Sequence, residues 1–187
     1  MADWNQALFT FIHSGSGRVF LLDDFAVFWA QYLPYLVAIS FLVLACLRSS
    51  QRRRWAMFLE GALAVIISRG ILTELVRYVF PISRPFEVLN FTALIAESGR
   101  SFPSGHAAFF FALGTVMFLV DRFWGYWFLG FAVTNGLARV FVGVHWPMDI
   151  VGGAALGILS ALLVRKLLEP HLLQVHPVAQ EAAGENP

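Results

Sequence analysis

Three short polar segments interrupt an otherwise apolar chain, and their residue types suit work on a phosphate. They read RYVFPISRP from Arg77 to Pro85, PSGH from Pro103 to His106, and ARVFVGVHWPMD from Ala138 to Asp149. Arg77, Arg84 and Arg139 carry planar forks that can surround phosphate oxygens with charge-assisted hydrogen bonds. Ser104 follows Pro103 and precedes an apolar run, an N-cap position. A helix starting there would aim free N–H groups and a partial positive charge at an anion, and Gly105 would let its backbone approach closely. His145 and Asp149 are four residues apart, so one helical turn places the carboxylate against the imidazole. A carboxylate holding one ring nitrogen fixes the tautomer and leaves the other free to attack. His106 is then available to protonate a leaving oxygen.

The elements that must position these residues follow from composition. The 187 residues are 58% hydrophobic and 13% charged, with mean hydropathy +0.69. A soluble domain carries about twice that charge, so soluble, disordered and nucleic-acid-binding classes are set aside. Apolar stretches at roughly 25–47, 55–80, 105–120, 123–143 and 147–168 read as spans. Residues 3–13 place Trp4, Ala7, Leu8, Phe11 and Ile12 at helical spacing, a short amphipathic helix at the interface. The expected fold is all-α, a polytopic membrane helix bundle of about five transmembrane helices plus that N-terminal helix. Residues 1–170 would form one membrane-embedded domain and 171–187 a mobile polar tail. The apolar stretch at 7–12 is too short for a cleavable leader. Cys46 stands alone in an apolar run, with no partner for an intrachain disulfide.

Basic residues orient the bundle. Arg48, Arg52, Arg53, Arg54, Arg122, Arg165 and Lys166 fall on one side if five spans alternate, and that side is cytoplasmic by the positive-inside rule. All three polar segments then meet at the opposite face. Each has a plain reading by itself: a snorkelling Arg, a helix cap, or an i, i+3 ion pair between Glu74 and Arg77. Their convergence on one face favours chemistry, because ionisable groups at membrane depth are costly. Arg69, inside the second span, should face the bundle interior and pair with Glu60 or Glu74.

The pattern basic-x6-RP, PSGH and R-x5-H-x3-D resembles the three-part signature of the type 2 phosphatidic acid phosphatase superfamily, which includes lipid phosphate phosphatases and vanadium haloperoxidases. The resemblance implies that Arg77, Arg84, Ser104, Gly105 and Arg139 hold the phosphate. It makes His145 the nucleophile forming a phosphohistidine, Asp149 its orienting partner and His106 the general acid, with no metal and no cofactor. Arg77 stands where the family usually has Lys, and Ala138 where Ser is common. The small size, the opening Asn5 to His13 and the RPF at Arg84 to Phe86 are similar to the bacterial undecaprenyl pyrophosphate phosphatase branch, many members of which carry Asp at the position of Gly105. The implied protein is an enzyme of a bacterial inner membrane with its site facing the periplasm and a lipid phosphate as its substrate. Phosphatidylglycerophosphate, phosphatidate or lipid A phosphatase activity is the alternative. A lipid-binding or transport protein on the same scaffold is the non-enzyme alternative.

Overall fold

The computed structural model describes residues 3–48 and 50–172, and every regular element among them is helical. Helix α1 (Asp3–His13) is followed by α2 (Phe20–Gln31) and α3 (Leu33–Cys46). These two form one apolar stretch bent by 47°. The bend has a local cause: Pro34, in the first turn of α3, lacks the N–H that would continue the ladder from α2. A second rod comprises α4 (Gln51–Val65), a π-helical segment (Ile66–Leu72) and α5 (Thr73–Val79). A short turn of helix, α6 (Pro85–Val88), lies in the connection to α7 (Gly105–Val120), and α8 (Arg122–Phe141) and α9 (Pro147–Leu172) complete the bundle. The five apolar stretches of the sequence are therefore all helical.

By length and composition the α4–α5 rod and α9 are each able to cross a membrane, and α2 with α3 makes a third crossing if the bent pair is one span. The outer surface is apolar and aromatic, with Phe20, Tyr35, Trp55, Tyr78, Phe123 and Trp127 exposed. Such a surface suits lipid and its interfaces. Helix α9 runs to Leu172, two residues into the segment expected as tail, and residues 173–187 lie outside the described residues.

Helix α7 is the centre of the bundle, packed on α8 and α9, with α4 closing against both α7 and α9. Phe41, Phe110, Met117 and Phe128 lie in one buried apolar core cluster. The α7–α9 seam is made of small residues. A Cβ on Gly153 would strike the Ser104 carbonyl and Ala107, and one on Gly157 would meet the backbone of Ala108 and Ala112. Close backbone approach is how helices associate where lipid removes the hydrophobic drive. Here it also sets the site, because Gly153 brings the start of α7 against the first turns of α9, where Asp149 sits.

Helix α1 has the bounds read from the sequence, and its inner face is buried by Asn5 and Phe9. Phe9 contacts the rings of His13, Phe91 and Trp146. Asn5 accepts from the Met148 N–H at 3.0 Å, satisfying a donor at the start of α9. The helix thus braces the segment that carries His145 and Asp149.

Candidate active site

The site forms where α5 ends, α7 and α9 begin, and α8 ends. His145 lies in the connection between α8 and α9, and Asp149 in the first turn of α9. Their separation is the one-turn spacing expected, with His145 Nδ1 3.1 Å from Asp149 Oδ2. The same carboxylate oxygen accepts from the Trp146 N–H at 2.8 Å and from the Ser101 hydroxyl. Asp149 therefore closes the N-terminus of its own helix and orients the imidazole at once. Both side chains are buried. Burial, then the charges of Arg139 and Arg84, hold the His145 imidazole well below its ordinary range. This favours the neutral ring.

Ser104 caps α7 in the expected way. Its backbone is extended, its Oγ accepts from the Ala107 N–H at 3.4 Å, and its own N–H donates to the Asp149 carbonyl at 2.9 Å. Gly105 and the half-buried His106 follow in the first turn of α7. The charges of Arg139, Arg69, Arg84 and His145 all act on His106.

The arginines divide into two kinds. Arg84 is 1% exposed. Its Nε donates to the Gly99 carbonyl, its Nη1 to that of Val144, and its Nη2 to those of Ser98 and Arg100. A guanidinium has five N–H groups, so Arg84 ties the loop after α6 to the residue before His145 and keeps one donor for another partner. Arg139, 2% exposed, and Arg77 differ. Arg139 donates through Nη2 to Glu97, and Arg77 donates to Glu74 and to the Pro103 carbonyl. Among the described residues, each also has a buried Nε with no protein partner. Unmatched buried donors are rare. Two in one cationic cluster fit an anion that both would bind.

Glu97 was not singled out from the sequence. Its carboxylate joins Arg139 and lies 3.7 Å from Arg84. Burial pushes the group up, but the Arg139 and Arg84 charges outweigh it and hold it below its ordinary range. Ser101 was missed as well. Both lie in the loop expected at the site face, and the acidic Glu97 beside its arginines was the available signal. Among the described residues no group of three or more His, Cys, Asp or Glu is placed to hold a metal ion. The positive charge of the site comes from its arginines.

Arg69 joins the cluster through the π segment. In an α-helix, residues five apart are separated by about 140° around the axis. The wide turn absorbs one extra residue and reduces that to about 40°. Arg69 and Glu74 consequently share a face and form a 3.0 Å ion pair. Glu74 is shared with Arg77 at 3.1 Å. Of the two partners expected for Arg69, Glu74 is the one found, while Glu60 pairs with Arg165.

This geometry can be set against known proteins. A model described as the PAP2 superfamily matches residues 58–171. The chain belongs to that superfamily. The relatives it matches within that superfamily include named phosphatases of lipid phosphates, and the protein is accordingly a membrane lipid phosphatase. It is 32% identical over 165 residues to the bacitracin transport permease protein BcrC of Bacillus licheniformis, covering 87% of this chain and 80% of that one. The undecaprenyl-diphosphatase BcrC of Bacillus subtilis is 26% identical over 162 residues, with 85% and 81% covered. The crystal structure of LpxE from Aquifex aeolicus superposes with a TM-score of 0.73 at 27% identity, over 87% of this chain and 95% of that one.

Proposed function

We propose that this PAP2 phosphatase hydrolyses the diphosphate of a polyprenyl lipid, undecaprenyl pyrophosphate above all, to the monophosphate through a phosphohistidine on His145. The observation that carries the mechanism is the buried His145–Asp149 pair set among arginines with unmatched donors. The likeness over most of the chain to a protein named undecaprenyl-diphosphatase supports the substrate.

Nδ1 of His145 is held by Asp149, so Nε2 attacks the terminal phosphorus. The bridging P–O bond breaks, its electron pair moves to the oxygen that stays on the lipid, and His106, which takes up a proton as the anionic substrate offsets the charge of the surrounding arginines, gives that oxygen the proton. Arg77 and Arg139 carry the charge that spreads over the equatorial oxygens, with the N-terminus of α7 at Ser104 and Gly105 adding its N–H groups. Water then attacks the phosphohistidine, the P–N bond breaks, His106 takes back a proton and inorganic phosphate leaves. Residues 1–170 act as one domain in this reading.

The test is phosphate release by purified protein from polyprenyl diphosphate and from phosphatidate, with and without excess EDTA. The diphosphate is expected to be favoured by about tenfold in kcat/KM or more, a difference of about 1.4 kcal/mol in the barrier. Activity is expected to survive EDTA. Preference for phosphatidate would overturn the substrate, and loss under EDTA that Mg²⁺ restores would overturn the arginine-based mechanism.

In this reading the site faces the periplasm from a bacterial inner membrane. The α4–α5 rod begins at Gln51, spans 29 residues to Val79, and brings Arg77 to the site about 39 Å along its length. Ser98 is exposed at the site end and Gln51 at the other. In a Cys46→Ser background, Ser98→Cys is expected to react with an impermeant thiol reagent added outside the inner membrane, and Gln51→Cys is not. The reverse pattern would invert the orientation.

A further inference from the structure

Arg69 differs from the other arginines of the site in where its charge stands. Arg84 and Arg139 are 1% and 2% exposed. They sit deep, around His145. The Arg69 side chain is 42% exposed, and it lies directly on the backbone at Gly105. A Cβ built there would come within 2.7 Å of Arg69 Cδ and Cζ. The missing side chain of Gly105 is what admits the guanidinium to the start of α7, next to His106. Its charge acts on Arg77, His106 and Arg139. Among the described residues its hydrogen bond is to Glu74, which it shares with Arg77. One donor is used there, so most of the fork remains for another anion.

The position has a chemical meaning. In an in-line displacement the nucleophile and the leaving oxygen lie on opposite sides of the transferred phosphorus. His145 occupies one side and His106 serves the other. Whatever the leaving oxygen is attached to lies beyond His106, on the more open side where Arg69 stands. In a phosphomonoester that next atom is carbon, which has no use for a cation. In a diphosphate it is a second phosphorus whose oxygens gain charge as the bridging bond breaks.

We propose that Arg69, seated on Gly105 by the π-helical turn, forms a second phosphate subsite that binds the phosphate staying on the lipid and selects diphosphates over monophosphates. This rests on the diphosphatase reading above. Glu74 is the counter-ion that holds the fork in place beside Arg77, and the fork's remaining donors take the oxygens of the second phosphate.

The experiment compares wild type, Arg69→Met and Arg69→Lys on a polyprenyl diphosphate and on the monophosphate of the same chain length. The Met variant is expected to lose about 30- to 100-fold in kcat/KM for the diphosphate, the range of one charge-assisted contact to a transition state. Its loss on the monophosphate is expected to be smaller by about tenfold or more. The Lys variant should fall between, because a point charge replaces a fork. If Arg69→Met does not fold, Arg69→Lys carries the same ratio test. A methylene-bridged diphosphonate, which cannot be cleaved, should compete less well against the variants, whereas a monophosphonate should change little. Equal losses on both substrates, or an unchanged ratio in a wild type that prefers diphosphate, would overturn the subsite and leave the diphosphatase reading standing. A wild type that turns over only monophosphates would remove both.

Discussion

His145→Ala is expected to lower turnover by about 10⁴-fold or more, the loss found when one part of a cooperating catalytic unit is removed. No neighbouring group can take over the attack. His106 lies on another helix, in the first turn of α7, on the side assigned to the leaving oxygen. Asp149 has its oxygen engaged by Trp146 and Ser101. The variant should still fold, since these two hydrogen bonds persist and the loss of the buried imidazole and its contact costs about 2–4 kcal/mol. Brief reaction of wild type with labelled substrate should give an acid-labile phosphoenzyme that is missing from His145→Ala. Vanadate, as a five-coordinate mimic of the reacting phosphorus, should inhibit the wild type by engaging Arg77 and Arg139. Near-normal turnover in His145→Ala would instead make direct attack by water the better account.

Asp149→Asn is expected to cost about 10³- to 10⁴-fold, in line with the removal of the orienting carboxylate from a nucleophile–base–carboxylate unit. The substitution keeps the shape of the side chain. It removes the charge that stabilises a cationic imidazole during attack, and it places an amide among three groups that meet one carboxylate oxygen: His145 Nδ1, the Trp146 N–H and the Ser101 hydroxyl. An amide oxygen can serve the two donors on its own side, but the ring is then free to take the wrong tautomer. Ser101→Ala removes a single one of these contacts and should cost far less. The measurement is the single-turnover rate of phosphoenzyme formation, which should be slow but present in Asp149→Asn and lost in His145→Ala. Loss of formation in both with Ser101→Ala equally inactive would make the carboxylate a structural cap rather than an orienting group.

The sequence was informative wherever a pattern was local. Helix α1 and the five apolar stretches were legible because apolar length and 3.6-residue spacing are short-range properties. The Ser104 cap was legible because a hydroxyl one residue before a helix has few other tasks. The His145–Asp149 contact was legible because four residues make one turn. Non-local features were not. That four donors of Arg84 hold carbonyls at Ser98, Gly99, Arg100 and Val144 was not legible, because the packing of a loop against a distant segment leaves no periodic trace. Glu97 was missed for the same reason, since its pairing with Arg139 spans 42 positions.

Composition and spacing alone thus determined that this is an apolar all-α chain whose polar segments of Arg, His and Asp gather at one end of its helices. Those properties depend on residue type and on one turn of helix at a time, and the chain carries them wherever it is read. Only the tertiary structure decided which cations face which part of the site. Gly153 brings α9 against the start of α7, and that contact joins Ser104 to Asp149. The π turn at Ile66–Leu72 moves Arg69 onto the face of Glu74 and Arg77 and against Gly105. A turn that accommodates one extra residue has no residue-level signature in Ile-Ile-Ser-Arg-Gly-Ile-Leu. It is selected by what the rod packs against, and so it exists only once α7 and α9 are in place.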